Sequence, residues 1–287
     1  MKLEIKQILN YASSQLQESG SQSPLLDAEV LLSFILDEDR SYLFMYPKKE
    51  IPLSVYYNYL SLIEARKKGK PIPYITGNQE FMKLDFFVNE SVLIPRPDTE
   101  ILVESIIETV KKTHKRMNIL DLGCGSGALS VSLAYYLPDV VVCGIDISSE
   151  AVKVARKNAL RHGVHRRIDF LCGDLFEPVK DSFDIIVSNP PYIPSKDMVS
   201  LQVEVSNFEP RQALDGGEDG LKFYRRIGTE SPKYIKSSGH LFLEIGYNQA
   251  PDVCSLLAER NEYSNIVVFK DLAGRNRVVK AEVRSKV

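Results

Sequence analysis

Asn189, Pro190, Pro191 and Tyr192 follow the apolar run "FDIIVS" at 183–188 and lead into Ile193 and Pro194. Proline has no backbone N–H, fixes its own φ and pushes the preceding residue out of the helical region. The chain therefore leaves this run through a stiff turn that offers carbonyls and few amides. The Asn189 side-chain oxygen and the Pro190 carbonyl can accept the two N–H groups of a planar –NH2, and Tyr192 can pack on its face. Holding both hydrogens aims the nitrogen in one direction. A substrate lacking one donor leaves a buried acceptor unpaired, at a cost of roughly 1–3 kcal/mol. Adenine N6, cytosine N4, guanine N2 and a glutamine amide all present this same pair of donors. The plainer alternative is a proline-stiffened turn that shapes a sheet edge.

A second constellation lies upstream. "ILDLGCGSGALS" runs a buried strand into Gly123, Cys124, Gly125, Ser126 and Gly127, then into a helix. The G-x-G-x-G spacing is shorter than the dinucleotide fingerprint and suits a cofactor without a pyrophosphate. The helix start can attract a carboxylate. A glycine-rich turn without a ligand fits the same residues. Asp146 ends the next apolar run, where a carboxylate can hold a ribose diol; a helix-capping role is the alternative. In "CGDLF", Asp174 can accept from an adenine amino group while Leu175 covers the ring, or Asp174 is an ordinary strand-end acid. Together these residues describe a nucleoside site beside an amine clamp.

Alternating elements must position them. Strands are expected at 117–122, 140–146, 167–172, 183–188 and 239–245, with helices between, as at 127–137 and 149–162. This alternation implies an α/β fold with a doubly wound, mostly parallel sheet. Ligands then sit at the carboxyl ends of the strands. "SNIVVFKDLAGRNRVVKAEVR" reads as an antiparallel hairpin at the sheet edge. Residues 1–75 form a small helical bundle: Ile5, Ile8, Leu9, Ala12 and Leu16 recur at helical spacing, and Ser23-Pro24 opens the next helix. Residues 76–96 are expected as a β-hairpin linker with Asn89 as its turn, and 97–287 as the α/β domain.

Composition narrows the classes. The chain has 287 residues, 44% hydrophobic and 26% charged, with net charge −2, ordinary for a globular protein. Residues 1–75 carry nine basic and nine acidic side chains, which argues against a nucleic-acid-binding module. The four cysteines form no CxxC pair, and with His114, His162, His165 and His240 they make no metal spacing. No metal is expected. The first twenty residues lack an apolar core long enough for a secretory signal, and no window suits a membrane span. A cytoplasmic protein is expected.

The strand-end pattern resembles the class I S-adenosylmethionine-dependent methyltransferases over about 97–287. The ordered set "LLDAEVLLSFIL", "PIPYITGNQEF", "VLIPRPDTE", "DLGCGSGALS", "SNPPYIP", "EPRQALDGGEDGLKFYRRI", "LFLEIGYNQ" and "DLAGRNRVV" resembles the release-factor glutamine methyltransferase family over nearly the whole chain. That resemblance implies N5-methylation of the glutamine in the Gly-Gly-Gln motif of peptide chain release factors, with S-adenosyl-L-methionine as donor. It implies that the helical 1–75 region helps dock the release factor. It assigns Gly123, Cys124, Gly125, Ser126, Gly127, Asp146, Leu175 and Asn189 to the cofactor, with Asp174 added from its strand-end position. It assigns Asn189, Pro190, Pro191 and Tyr192 to the substrate glutamine; Asn189, Pro190 and Tyr192 are the expected catalytic residues. Asp98 stands where the family usually has Glu, and Asn276 where Asp is common. The resemblance makes "EPRQALDGGEDGL" a lid rather than a surface connection. Arg96 is either a structural anchor or a ligand contact. A DNA or RNA amino-group methyltransferase is the alternative activity, and a non-catalytic cofactor-binding scaffold is the alternative class.

Overall fold

A computed structural model describes residues 3–113 and 115–284; His114, weighed above as a metal ligand, lies outside the described residues. The chain divides into two compact units, Met1–Asn78 with Gln202–Phe208, and Gln79–Leu201 with Glu209–Val287.

The first unit is helical: α1 (Ile5–Glu18), α2 (Pro24–Leu36), α3 (Arg40–Met45), α4 (Leu53–Lys67) and α5 (Ile72–Thr76). α1 buries Ile5, Ile8, Leu9, Ala12 and Leu16, a single stripe at the 3.6-residue period. That stripe packs with Leu31 and Leu32 of α2 and Tyr59 and Ile63 of α4. Pro24 opens α2 at a position whose N–H needs no partner. Inside this unit Arg66 is almost fully buried. Its guanidinium donates to Asp27 at 2.7 Å and to Glu204 at 2.6 Å, so its charge is neutralised where water is excluded.

The second unit opens with a hairpin, β1 (Asn78–Phe81) and β2 (Leu84–Phe87). Its turn is Met82-Lys83, both at positive φ, not the expected Asn89. Two residues in the left-handed region match the twist of paired strands. Tertiary contacts hold this unusual pair: Met82 N–H donates to Glu100 at 2.6 Å, and the Tyr136 hydroxyl donates to the Met82 carbonyl at 2.6 Å. Phe81, Leu84 and Phe86 enter the same core as Leu102, Ile106, Ile119 and Val131.

The remaining elements are α6 (Glu100–Lys111), β3 (Met117–Leu122), α7 (Ala128–Tyr136), β4 (Val140–Asp146), α8 (Ser149–Arg161), β5 (Ile168–Cys172), β6 (Phe183–Ser188), α9 (Val203–Phe208, in the first unit), α10 (Lys222–Tyr234), β7 (Ile235–Glu244), α11 (Ala250–Ala258), β8 (Tyr263–Lys270) and β9 (Asn276–Val283). The sheet order is β5-β4-β3-β6-β7-β9-β8. The first five strands in that order are parallel, and β9 is antiparallel to both β7 and β8. This is the doubly wound sheet with an antiparallel edge that the alternation implies. β7 begins at Ile235 rather than 239, because Ile235 pairs with Phe183 ahead of a register shift. Strand order reverses between β3 and β6, so the covering helices diverge there and leave a crevice beyond the strand ends. No helix among the described residues is long and apolar enough to cross a membrane.

Phe86→Ala should destabilise the second unit by about 3–5 kcal/mol, as expected for an emptied aromatic site. Chemical denaturation followed by circular dichroism would show the sheet-containing transition moving to lower denaturant. An unchanged midpoint would mean that the hairpin is not part of that core.

Candidate active site

The crevice is walled by the three loops that leave β3, β4 and β6. After β3, the N–H groups of Gly123 and Cys124 both donate to the Ile145 carbonyl, at 2.8 and 2.9 Å. The Gly125 N–H donates to Asp146 Oδ2 at 2.8 Å, and the Ser148 N–H to Asp146 Oδ1 at 2.9 Å. Burial raises the Asp146 carboxyl above its ordinary range, and these two amides pull it back. Each carboxylate oxygen keeps a further lone pair. Gly127 caps α7 at φ +78, and a Cβ there would lie 3.0 Å from that of Ala155. Only glycine supplies both the left-handed backbone and the close approach.

Behind the glycine turn sits Asp121, fully buried at the end of β3. The Ser130 hydroxyl donates to its Oδ2 at 2.6 Å, while Oδ1 has no partner among the described residues. Burial pushes this carboxyl up to about 7, with the nearby Asp146 charge adding to the rise. Asn158, buried on α8, accepts from Phe87 N–H at 2.8 Å and donates to the carbonyls of Phe87 and Ser126 at 2.9 and 2.8 Å. It ties the hairpin to the glycine turn.

The Asn189–Tyr192 segment is pinned from outside the sheet. Ile193 N–H donates to Leu214 O at 3.0 Å and Gly216 N–H to Ile193 O at 2.8 Å, so loop 214–217 runs as a parallel bridge beside it. Gln249 Nε2 donates to the Tyr192 carbonyl at 3.0 Å. A Cβ on Gly220 would fall 2.4 Å from that carbonyl, at φ +77, which accounts for the glycines of "DGGEDG". Among the described residues no backbone N–H reaches the Pro190 carbonyl. The Asn189 Nδ2 donates to Thr99 Oγ1 at 3.3 Å.

These loops enclose a cavity of about 190 Å³. Gly123, Gly125, Asp146, Asp174, Leu175, Asn189, Pro190 and Pro191 line it. Cys124, Ser126, Gly127 and Tyr192 do not. Cys124 points into the core, Gly127 is pressed against α8, the Ser126 carbonyl faces Asn158, and Tyr192 packs with the opposite core layer. Asp174 follows β5 rather than ending it, and Arg226 holds both its oxygens at 3.1 and 2.9 Å. Leu175 beside it takes a positive φ of 51. Arg96 forms an ion pair with the buried Glu209, an anchoring contact. The cavity has further walls: Ser91, Val92 and Leu93 before Pro95 and Pro97, Pro210, Gln212 and Ala213 from the segment expected as a lid, Phe223 of α10, and Ile147 after Asp146; no cofactor or substrate role was assigned to any of them from sequence. The lid residues carried a signal in their glycine-rich spacing; the 91–93 wall carried none.

The parallel order, the antiparallel edge and the glycine turn at the crevice define a class I methyltransferase. Residues 97–208 match the methyltransferase small domain family, and residues 7–77 match the PrmC N-terminal domain family. Among curated relatives, a release factor glutamine methyltransferase of Geobacter sulfurreducens is 42% identical over 276 residues, 96% of this chain and 95% of the relative. One of Vibrio cholerae is 40% identical over 288 residues, 100% of this chain and 99% of the relative. Among solved structures, a 16S rRNA N2 G1207 methyltransferase of Thermus thermophilus, in complex with AdoMet and guanosine, shares the fold at 20% identity. Its TM-score is 0.52, over 72% of this chain and 50% of that one. This chain belongs to the release factor glutamine methyltransferase family.

Asp121 gives a pH prediction. Its carboxyl binds a proton more tightly folded than unfolded, so its contribution to stability is complete below about pH 4 and is lost as pH rises through about 7. Asp121→Asn removes this dependence. The melting temperature of the variant relative to the parent should therefore rise between about pH 5 and about pH 8. A constant difference across that window would refute the raised carboxyl.

Proposed function

We propose that this protein transfers a methyl group from S-adenosylmethionine to the side-chain amide nitrogen of the glutamine in the Gly-Gly-Gln motif of peptide chain release factors. The observation that carries the reading is the match of the whole chain, helical unit included, to relatives of that name. The amine clamp on a pinned turn supports it.

The cavity suits the cofactor. A Cβ at Gly123 or Gly125 would meet no protein atom within 4 Å, so the glycine turn borders open space that a ligand can fill. Asp146 offers carboxylate lone pairs to a ribose diol. Leu175 offers an apolar wall to a base. Asp174 would keep its Arg226 partner, so its part in holding an adenine amino group would be shared with that ion pair. Gly123, Cys124, Gly125, Ser126 and Gly127 would act mainly through their backbone. When bound, the cofactor supplies an electrophilic methyl carbon.

This chain's own residues do the aiming. The Asn189 Oδ1 and the Pro190 carbonyl accept the two amide N–H groups of the substrate glutamine. The backbone that carries both acceptors is held before substrate arrives, because the turn is bridged to loop 214–217 and Gln249. Pre-set acceptors lower the entropic cost of aligning the nitrogen. Pro191 walls the cavity and Tyr192 backs it. No strong base is required, since the nitrogen becomes acidic only as the new C–N bond forms and can then release its proton.

The 1–75 region is proposed as the release-factor docking domain, with 76–96 as linker and 97–287 as the transferring domain. Phe44, Met45, Leu53 and Tyr57 are all exposed on the helical unit, and exposed apolar side chains of this size suit a protein partner. A substrate of the translation machinery implies a cytoplasmic enzyme that needs no nucleic-acid contact of its own.

Mass spectrometry of purified release factor, after incubation with this protein and S-adenosylmethionine, should show one added methyl group on that glutamine. A methyl group elsewhere, or none, would overturn the reading. Asn189→Ala should lower kcat about a hundredfold or more, the scale of losing one aligned transition-state contact, with cofactor affinity retained. Asp146→Ala should instead weaken cofactor binding about ten- to hundredfold by calorimetry, the scale of losing charge-assisted hydrogen bonds.

A further inference from the structure

The clamp works only one way round. The Asn189 amide must turn its oxygen to the cavity and its nitrogen away, yet the two orientations fill almost the same space. Behind Asn189, away from the cavity, lies a buried polar cluster that the proposed transfer does not use. Asn189 Nδ2 donates to Thr99 Oγ1 at 3.3 Å. Thr99 is buried at the start of α6, and Glu244 is buried at the end of β7. Glu244 lies near enough to both that Thr99 and Asn189 each lower its carboxyl pKa, and its Oε2 has no hydrogen-bond partner among the described residues.

We propose that Thr99 and Glu244 are positioning residues, a short relay whose polarity fixes which face the Asn189 amide presents to substrate. The inference rests on the clamp reading above. An ionised carboxylate only accepts hydrogen bonds, and a threonine hydroxyl has a single proton. In the proposed relay that proton goes to the Glu244 carboxylate, whose Oε2 is otherwise an unpartnered buried acceptor among the described residues, so the Thr99 oxygen can only accept from Asn189. Nitrogen then faces Thr99 and Glu244, and oxygen faces the cavity. If Glu244 is protonated, the direction can reverse. Glu244 donates to Thr99, Thr99 donates to the Asn189 oxygen, and the amide turns its –NH2 towards the –NH2 of the substrate. Two donors face each other and the clamp opens.

Glu244 is poised for such a change. Burial pushes its carboxyl up to about 7; Thr99, Arg277 and Asn189 pull it down and Asp98 pushes it up. The other groups facing it are Tyr192, which feels its charge, and the Tyr224 hydroxyl, which donates to its backbone carbonyl at 2.9 Å. Arg277 is committed to Asp98 and Asp271 at 2.8 and 3.1 Å, so it acts on Glu244 only at a distance.

The test uses the full chain with S-adenosylmethionine and release factor. At about pH 8, Thr99→Val should lower kcat about tenfold, the scale of one lost hydrogen bond. Calorimetric cofactor affinity should stay within about twofold, and Thr99→Ser should restore kcat. With saturating cofactor, the parent kcat should fall as pH drops through about 7, and that limb should vanish in Glu244→Gln, which does not titrate. Wild-type kcat in Thr99→Val, or an unchanged acid limb in Glu244→Gln, would overturn the relay. A second readout needs no turnover: carbon NMR of glutamate-labelled protein. A carboxyl titrating near neutrality should be missing from Glu244→Gln and shifted upward in Thr99→Val. No response to Thr99→Val would sink the relay even in an active enzyme. A parent protein that leaves release factor unmethylated would sink the proposed function while the NMR titration still reports on the relay.

Discussion

Parallel strands end with polar groups that the ladder no longer pairs. Everything at this site follows from that constraint, applied where the strand order reverses between β3 and β6. A chain leaving β3 must satisfy its first amides elsewhere, and Gly123 and Cys124 do so on the Ile145 carbonyl of β4. A chain leaving β6 through Pro190 and Pro191 loses two successive N–H groups, and among the described residues no backbone N–H reaches the Pro190 carbonyl. Neighbouring strand ends thus deliver different groups to one crevice: the Asp146 carboxylate, held by the glycine turn, from β4, and carbonyl acceptors from β6.

Rigidity comes from outside the sheet. The Asn189–Tyr192 turn would be a free loop if only β6 held it. Loop 214–217 adds a short parallel bridge, Gln249 holds the Tyr192 carbonyl, and two glycines let the backbones close to contact. Asn158 does the same for the glycine turn, reaching both the hairpin and the Ser126 carbonyl. Such support matters because an acceptor misplaced by a fraction of an ångström loses most of its aiming value.

Two buried carboxyls sit immediately behind these turns. Asp121 closes β3 and Glu244 closes β7, and burial pushes each to about 7. Each has an oxygen without a partner among the described residues. Neither placement favours folding at neutral pH.

Much of this was legible from residue order alone. Alternating apolar runs specify the sheet, because a buried parallel strand and an amphipathic helix have different periods. Glycine spacing marks the turn, and the double proline marks a strand exit that cannot pair. These are local facts, dictated by backbone sterics within a few residues. Sequence could not show that the hairpin turns at Met82-Lys83, since Glu100 and Tyr136 hold that strained pair from elsewhere in the chain. Nor could it show that Asp174 is already gripped by Arg226, that residues 91–93 wall the cavity, or that Thr99 and Glu244 meet behind Asn189. Those groups lie tens of residues apart, and only the packing of distant segments brings them together. Residue order determined which groups stand at the strand ends; the tertiary structure decided which way they face and what holds them there.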